Sequence, residues 1–195
     1  PISSTLTGTP TTIRSSGSSP ERRAPPLSVF GQVSDEHDEI IELDSSLTIL
    51  GQKQWDWLRK KLDKEIDFRI IVSSIQFLPI GHGWESWNNF PYERKKLIKM
   101  IESSSIKNTV FISGDRHRGG FYKKPIKKGY NIYEITSSSL NASFLNKEEY
   151  GPLRLGKTYI EENYGSITIS SLKDEVLVNL MNNKGEVLKS IKISN

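Results

Sequence analysis

Asn108-Thr109-Val110-Phe111-Ile112-Ser113-Gly114-Asp115-Arg116-His117-Arg118-Gly119-Gly120 is the stretch on which the fold turns. Val110, Phe111 and Ile112 are β-branched or aromatic, and the run is too short for a helix, so it reads as a buried strand. Gly114 reads as the point where the chain turns sharply out of the strand. Asp115 and His117 then stand on a strand-end loop, where parallel α/β sheets place their sites. A carboxylate and an imidazole at this spacing suit a borderline or hard metal such as Zn, Fe or Mn. By itself an Asp-x-His pair in a loop is more often an exposed polar turn, so its neighbours have to decide.

Upstream, Leu50 to Leu62 reads as an amphipathic helix, with Trp55, Leu58 and Leu62 on one face and Lys and Arg opposite. Phe68 to Leu78 reads as an apolar strand whose far end turns polar at Ser73, Ser74 and Gln76. The loop Gly81 to Pro91 mixes His82, Trp84 and Trp87 with hydrogen-bonding side chains; it either shapes a site or folds over the core on its tryptophans. Pro91 opens a helix with Leu97, Ile98 and Ile101 buried and Lys95, Lys96 and Lys99 solvated. The middle of the chain therefore alternates helix and strand, which predicts an α/β fold. Downstream, Phe121-Tyr122 and Asn131 to Thr136 read as strands joined through Pro125 to Gly129. Tyr150 to Asn163 reads as irregular. Gly165 to Ser171, Val176 to Met181 and Glu186 to Ile193 read as antiparallel strands, with Asn182 to Gly185 as a hairpin turn.

Residues 1–28 are dominated by Ser, Thr, Pro and Gly, and residues 1–45 read as a disordered or degenerate leader; residues 46–195 form the folded part. Within the leader, Leu27 to Val33 and Ile40 to Leu43 are short strand-like runs, and Asp35-Glu36-His37-Asp38 is a second Asp-x-His that reads as an acidic surface turn. The 195 residues hold one sizeable core. The absence of cysteine excludes disulfides, zinc–thiolate sites and a cysteine nucleophile. No apolar run reaches the length of a membrane span. No signal peptide is visible, and since the chain starts at Pro1 the compartment stays open. The net charge of +4 suits an anionic ligand or a lysine-rich surface.

Three strand-end loops carry polar groups that can converge: Ser73 to Gln76 with His82, Asp115 to Arg118, and Ser137 to Asn141. One Asp-x-His cannot fill a coordination shell, so a metal site needs ligands from several loops. Arg116 and Arg118 suit a phosphate, because a guanidinium grips two oxygens at once. There is no Gly-x-Ser-x-Gly elbow or dinucleotide fingerprint. The competing classes are a non-catalytic remnant and a polyanion-binding module built on Lys123, Lys124, Lys127 and Lys128; aromatic residues do not interleave with these lysines, and nucleic acid enters only as a phosphodiester substrate.

Four stretches resemble the PhoD-like alkaline phosphatases of the calcineurin-like metallophosphoesterase superfamily. They are Leu50-Gly51-x-x-Gln54-Trp55-x-Trp57-Leu58; Ser73-Ser74-Ile75-Gln76-Phe77 continuing to His82-Gly83-Trp84-Glu85-x-Trp87-x-Asn89-Phe90-Pro91-x-Glu93-Arg94; Ser113-Gly114-Asp115-Arg116-His117; and Thr136-Ser137-Ser138-x-Leu140-Asn141 with Glu162-Asn163-Tyr164-Gly165. The resemblance covers roughly residues 45 to 195 and corresponds to the C-terminal half of the catalytic domain. It implies a four-layer α/β/β/α sandwich and hydrolysis of phosphate mono- or diesters at a dinuclear centre of divalent or trivalent ions (Fe, Ca, Mn or Zn). By resemblance, His117 and Asp115 are the metal and catalytic residues, Asp115 standing where many relatives have a histidine. Gln76 stands near another metal-binding histidine of the superfamily. Arg116, Gln76, His82, Asn141 and Asn163 are the candidate substrate contacts. The upstream metal-binding motifs have no convincing counterpart in residues 1–46, so the expectation is a chain that binds metal weakly and turns over slowly or not at all.

Overall fold

The structure is a computed structural model that describes residues 46–194, apart from 65, 67, 105–107, 127–128, 144–147, 149–150, 171 and 173. The readings of residues 1–45, including Leu27 to Val33, Asp35 to Asp38 and Ile40 to Leu43, lie outside the described residues.

The strand β2 (Asn108–Ser113) runs parallel to β1 (Arg69–Val72) on one side and to β4 (Asn131–Ser137) on the other, and β3 (Gly119–Pro125) closes the sheet antiparallel to β4. Two helices, α1 (Gly51–Leu62) and α2 (Pro91–Ser103), cover one face. The other face packs on a three-stranded antiparallel sheet of β5 (Asn163–Ser170), β6 (Glu175–Asn182) and β7 (Val187–Ser194). The period-two alternation of a strand divides the core. Phe111, Ile132 and Tyr122 join Trp55, Leu58 and Leu97 under the helices, while Val110, Ile135 and Phe121 join Val178, Leu180 and Ile193 between the sheets. Helices, mixed sheet and antiparallel sheet are three layers of the expected α/β/β/α sandwich, and the fourth has no counterpart among the described residues.

The apolar run from Phe68 pairs as a strand only to Val72. At Ser73 the hydroxyl donates to the Ile75 carbonyl (2.7 Å), which bends the chain, and beyond it Gln76 makes one isolated bridge to Ser86. Trp87 is the packing anchor of the following loop: it is 1% exposed, edge-on to Phe77 at 5.3 Å, and its indole N–H donates to Ser73 Oγ. Lys96 is not simply solvated; its ammonium lies 4.1 Å from the centre of the Trp55 ring. The stretch before Asn163 is more ordered than its composition suggests. Leu153 to Tyr159 runs along the outer edge of β3, with Lys123 N–H donating to the Leu153 carbonyl and Tyr159 and Gly119 exchanging backbone bonds. That strap blunts one sheet edge. At the other edge, the outer side of β1 is covered by no strand among the described residues, and Ile70 and Val72 are partly exposed.

Glu93 shows how the helices are locked together. The residue before α1, Leu50, makes no side-chain cap. Instead the buried Glu93 carboxylate, reaching over from α2, accepts the Ile49 and Leu50 backbone N–H groups (2.7 and 3.2 Å), the Thr48 hydroxyl and the Trp55 indole N–H (2.5 Å). A carboxylate at a helix N-terminus satisfies orphan donors and meets the positive end of the dipole. Glu93→Gln leaves one oxygen for four donors and turns an NH2 group toward them, so it is expected to cost about 1–2 kcal/mol. Denaturant unfolding checks this, and an unchanged midpoint would remove Glu93 as the tie.

Candidate functional site

The three parallel strands end on one side of the sheet, and their exits converge on Gly114. A Cβ built there would lie 3.7 Å from the Ser74 carbonyl oxygen and 3.9 Å from Ser138 Cβ, so the loops after β1, β2 and β4 touch at this residue. Gly114 does not adopt a positive φ, contrary to its reading as the sharp turn. The left-handed positions are Asp115 (φ 68°) and His117 (φ 52°). Asp and His tolerate that region better than most residues, but it still carries strain, and such strain concentrates at functional sites.

Asp115 is exposed and His117 half-buried, and the residues between and after them point inward. Arg116 is 4% exposed, its guanidinium carbon 5.4 Å from the centre of the Trp84 ring, which is itself 51% exposed. His82 Nδ1 accepts the Trp84 backbone N–H at 3.0 Å, which sets the turn carrying that indole. Arg118 is fully buried and donates to Thr158 Oγ1 at 3.3 Å; Thr158 is in turn held by Glu148, which pairs with Arg154 at 3.1 Å. The turn is thereby tied to the strap beside β3.

The other candidates divide. Asn141 is exposed at the tip of the loop after β4. Asn163 is 1% exposed; its oxygen accepts from Ser137 Oγ (3.0 Å) and its NH2 donates to Ser139 Oγ and the Glu161 carbonyl (2.7 Å). It clasps the start of β5 to the loop after β4. Gln76 is also 1% exposed, with its NH2 directed at Thr136 Oγ1 (2.8 Å) and Tyr122 OH (3.3 Å), beneath the loops rather than at their surface.

Glu134 escaped the sequence reading. It lies at the centre of β4, fully buried, and accepts from the Phe77 and Leu78 backbone N–H groups (3.0 and 2.5 Å) and from Ser113 Oγ (2.5 Å). Arg94 holds the same segment from the other side, donating to the Phe77 and Leu78 carbonyls (2.8 and 3.0 Å). Burial pushes the Glu134 carboxyl above its ordinary value, opposed by the hydrogen bonds from Ser113, Leu78 and Phe77 and by the charge of Arg94. The signal was present: in Ile132-Tyr133-Glu134-Ile135 the period of two puts a lone carboxylate on the same face as core Ile132.

A metal ion needs more donors than this turn holds. Asp115 and His117 are two, while structural and catalytic sites take three or more protein ligands. Among the described residues no group of three or more His, Cys, Asp or Glu side chains comes together to hold an ion. The described residues alone therefore do not fit a dinuclear centre. Among them, too, no helix is long and apolar enough to cross a membrane, which says nothing about β-barrels.

Comparison with known proteins gives three concordant results. The family model described as PhoD-like phosphatase matches residues 13–192, and so also takes in Asp35 to Asp38. Alkaline phosphatase D of Bacillus subtilis (strain 168) is 28% identical over 79 residues, which is 36% of this chain and 14% of that protein. A solved structure of PhoD superposes with a TM-score of 0.55 at 16% identity, covering 75% of this chain and 32% of the solved one, and so shares its fold. The chain thus spans about a seventh of the curated relative and a third of the solved structure. Its motifs, its mixed sheet under two helices and the family match over most of its length agree: the chain belongs to the PhoD-like phosphatase family.

Proposed function

We propose that this chain contributes the phosphate-facing part of a metal-dependent phosphate mono- or diester hydrolase. The observation that carries the reading is the turn Gly114 to Arg118, where two residues with metal-binding and proton-handling side chains adopt left-handed backbone conformations at the ends of three parallel strands. In this reading Asp115 and His117 supply donors of the oxygen and imidazole type that hard and borderline ions take, and the remaining ligands come from outside the described residues. Arg116 grips the phosphoryl oxygens, displacing the Trp84 indole from its guanidinium. His82 sets the position of that indole, and Asn141 lies at the rim. Asn163 and Gln76 act from beneath, by holding the loops.

The test is hydrolysis of a chromogenic phosphomonoester and phosphodiester by the chain, with Mn, Fe, Zn and Ca each supplied in turn. The expected result is slow turnover that needs added metal and stops on chelation. A folded chain that hydrolyses neither ester with any ion would overturn the catalytic reading. Phosphate binding is read separately: inorganic phosphate is expected to change tryptophan emission through Trp84, and Arg116→Ala to weaken that response about tenfold or more, the value of a charge-assisted hydrogen bond. An unaltered titration in the variant would take Arg116 out of the site.

A further inference from the structure

Among the described residues the outer side of β1 is an open edge of the four-stranded sheet. Such an edge presents backbone N–H and C=O groups in a row, which another strand can pair. A groove of about 380 Å³ runs along it. Trp57 and Leu58 of α1 line the groove from the helix face, and Phe68, Ile70 and Val72 from the other. Ile70 and Val72 are 38% and 39% exposed, although both lie inside an apolar run. Arg69 adds a polar demand. It is 5% exposed, donates through Nη2 to the Leu62 carbonyl (2.9 Å), and leaves its buried Nη1 with no acceptor among the described residues.

The topology says which strand belongs there. α1 and α2 lie on the same face of the sheet. They also begin at the same end of it, because the Ile49 and Leu50 N–H groups before α1 reach Glu93 in the first turn of α2. The unit β1–α2–β2 moves one step across the sheet, from β1 to its parallel neighbour β2. Such strand–helix–strand units have one hand. A unit built on α1, with its helix on the same face, steps the same way, so the strand before α1 lies on the side of β1 away from β2. That side is the open edge. In the sequence the strand-like run before α1 is Ile40-Ile41-Glu42-Leu43, and the seven residues from Asp44 to Leu50 connect it to the helix. The run lies outside the described residues, and the family match, which begins at residue 13, takes it in.

We infer that residues 40–43 dock on the outer edge of β1 as a parallel strand, their apolar side chains filling the groove beside Ile70, Val72 and Trp57. In that direction Asp38 and Glu39, which precede the run, come level with Arg69 at the start of β1 and offer acceptors to its Nη1. The antiparallel direction would carry both carboxylates to the far end of the strand. The folded unit then starts before residue 46, and the acidic stretch read as a surface turn leads into a core strand. This inference is independent of the phosphate-ester reading.

Native-state hydrogen exchange of the full chain tests the pairing. The amides of residues 40–43 are expected to exchange about tenfold or more slower than in a free chain. Ile41→Pro removes a ladder donor and is expected to release them, together with the outward amides of β1. Direction is read by crosslinking, which is clean because the chain has no cysteine of its own. Leu43→Cys with Val72→Cys is expected to join through a short bifunctional thiol reagent, and Leu43→Cys with Ile66→Cys to stay apart. Val72 and Ile66 are both partly exposed, so these variants keep the fold, which circular dichroism verifies. Free-chain exchange at residues 40–43, or joining through Ile66→Cys in place of Val72→Cys, would overturn the inference. So would protection of the β1 amides that survives Ile41→Pro and grows with protein concentration, because a second copy of the chain would then hold the edge.

Discussion

Replacing Glu134 by alanine is expected to cost about 3–5 kcal/mol of folding stability, the loss typical of removing one member of a buried polar network. Three donors lose their acceptor at once: the Phe77 and Leu78 backbone N–H groups and the Ser113 hydroxyl. All three are buried, so none regains a water molecule without opening the core. Arg94 remains on the far side of the same segment, a buried cation now without the carboxylate that faced it. Denaturant unfolding of the folded fraction measures the loss, and a change below 1 kcal/mol would show that the clamp is slack. The same residue gives a pH signature. Burial holds its carboxyl above the ordinary value, so the folded chain binds that proton more tightly than the unfolded one. The corresponding stability is fully present below the unfolded value of about 4.5 and is lost as pH rises through the folded value. Glu134→Gln cannot titrate. Wild-type stability measured against Glu134→Gln is therefore expected to fall as pH rises from about 4.5 and then to level off. A rise instead would mean that the hydrogen bonds and Arg94 outweigh desolvation.

The residues that were legible in the sequence are those whose pattern is local. Trp55, Leu58 and Leu62 repeat at helical spacing and all three are buried on α1; Val110 and Phe111 lie on opposite faces of β2 as alternation requires. The hairpin Asn182 to Gly185 was readable because its chemistry is local too, with Gly185 at φ 81°. The α/β order, with β1 and β2 as parallel neighbours, followed from helices between strands. What was illegible depends on partners far along the chain. Glu93 looks like a surface carboxylate until a segment 43 residues away supplies its donors, and the alternation around Glu134 signals burial but not its donors, which lie up to 57 residues away. Gln76 and Asn163 were read as contacts for a ligand because a polar residue at a strand end suits a site and an internal clasp equally; only the burial of both separates the two. The role of Gly114 was misjudged for the same reason. The contact of Ser74 and Ser138 with Gly114 is a tertiary fact, whereas the left-handed dihedrals fall on its neighbours.

Those neighbours allow strain and chemistry to be separated in one experiment. His117→Ala and His117→Gly both remove the imidazole, so both are expected to lower metal-dependent ester hydrolysis by about 10²-fold or more, the scale of a lost proton-transferring or charge-stabilising group. Their stabilities should diverge. At φ 52° an alanine keeps the clash between Cβ and the backbone, whereas glycine has none. His117→Gly is therefore expected to be more stable than His117→Ala by about 1 kcal/mol. A chain that gains stability while losing turnover keeps its histidine for chemistry, because packing alone would favour the glycine. The opposite pairing, hydrolysis kept and stability lost, would make His117 a packing residue and move the reactive centre off this turn. Asp115→Gly at φ 68° tests the other left-handed position in the same way. If both positions trade stability for turnover, the strain in Asp115-Arg116-His117 is what holds a carboxylate and an imidazole at the ends of β1, β2 and β4, where the fold exposes them to a ligand.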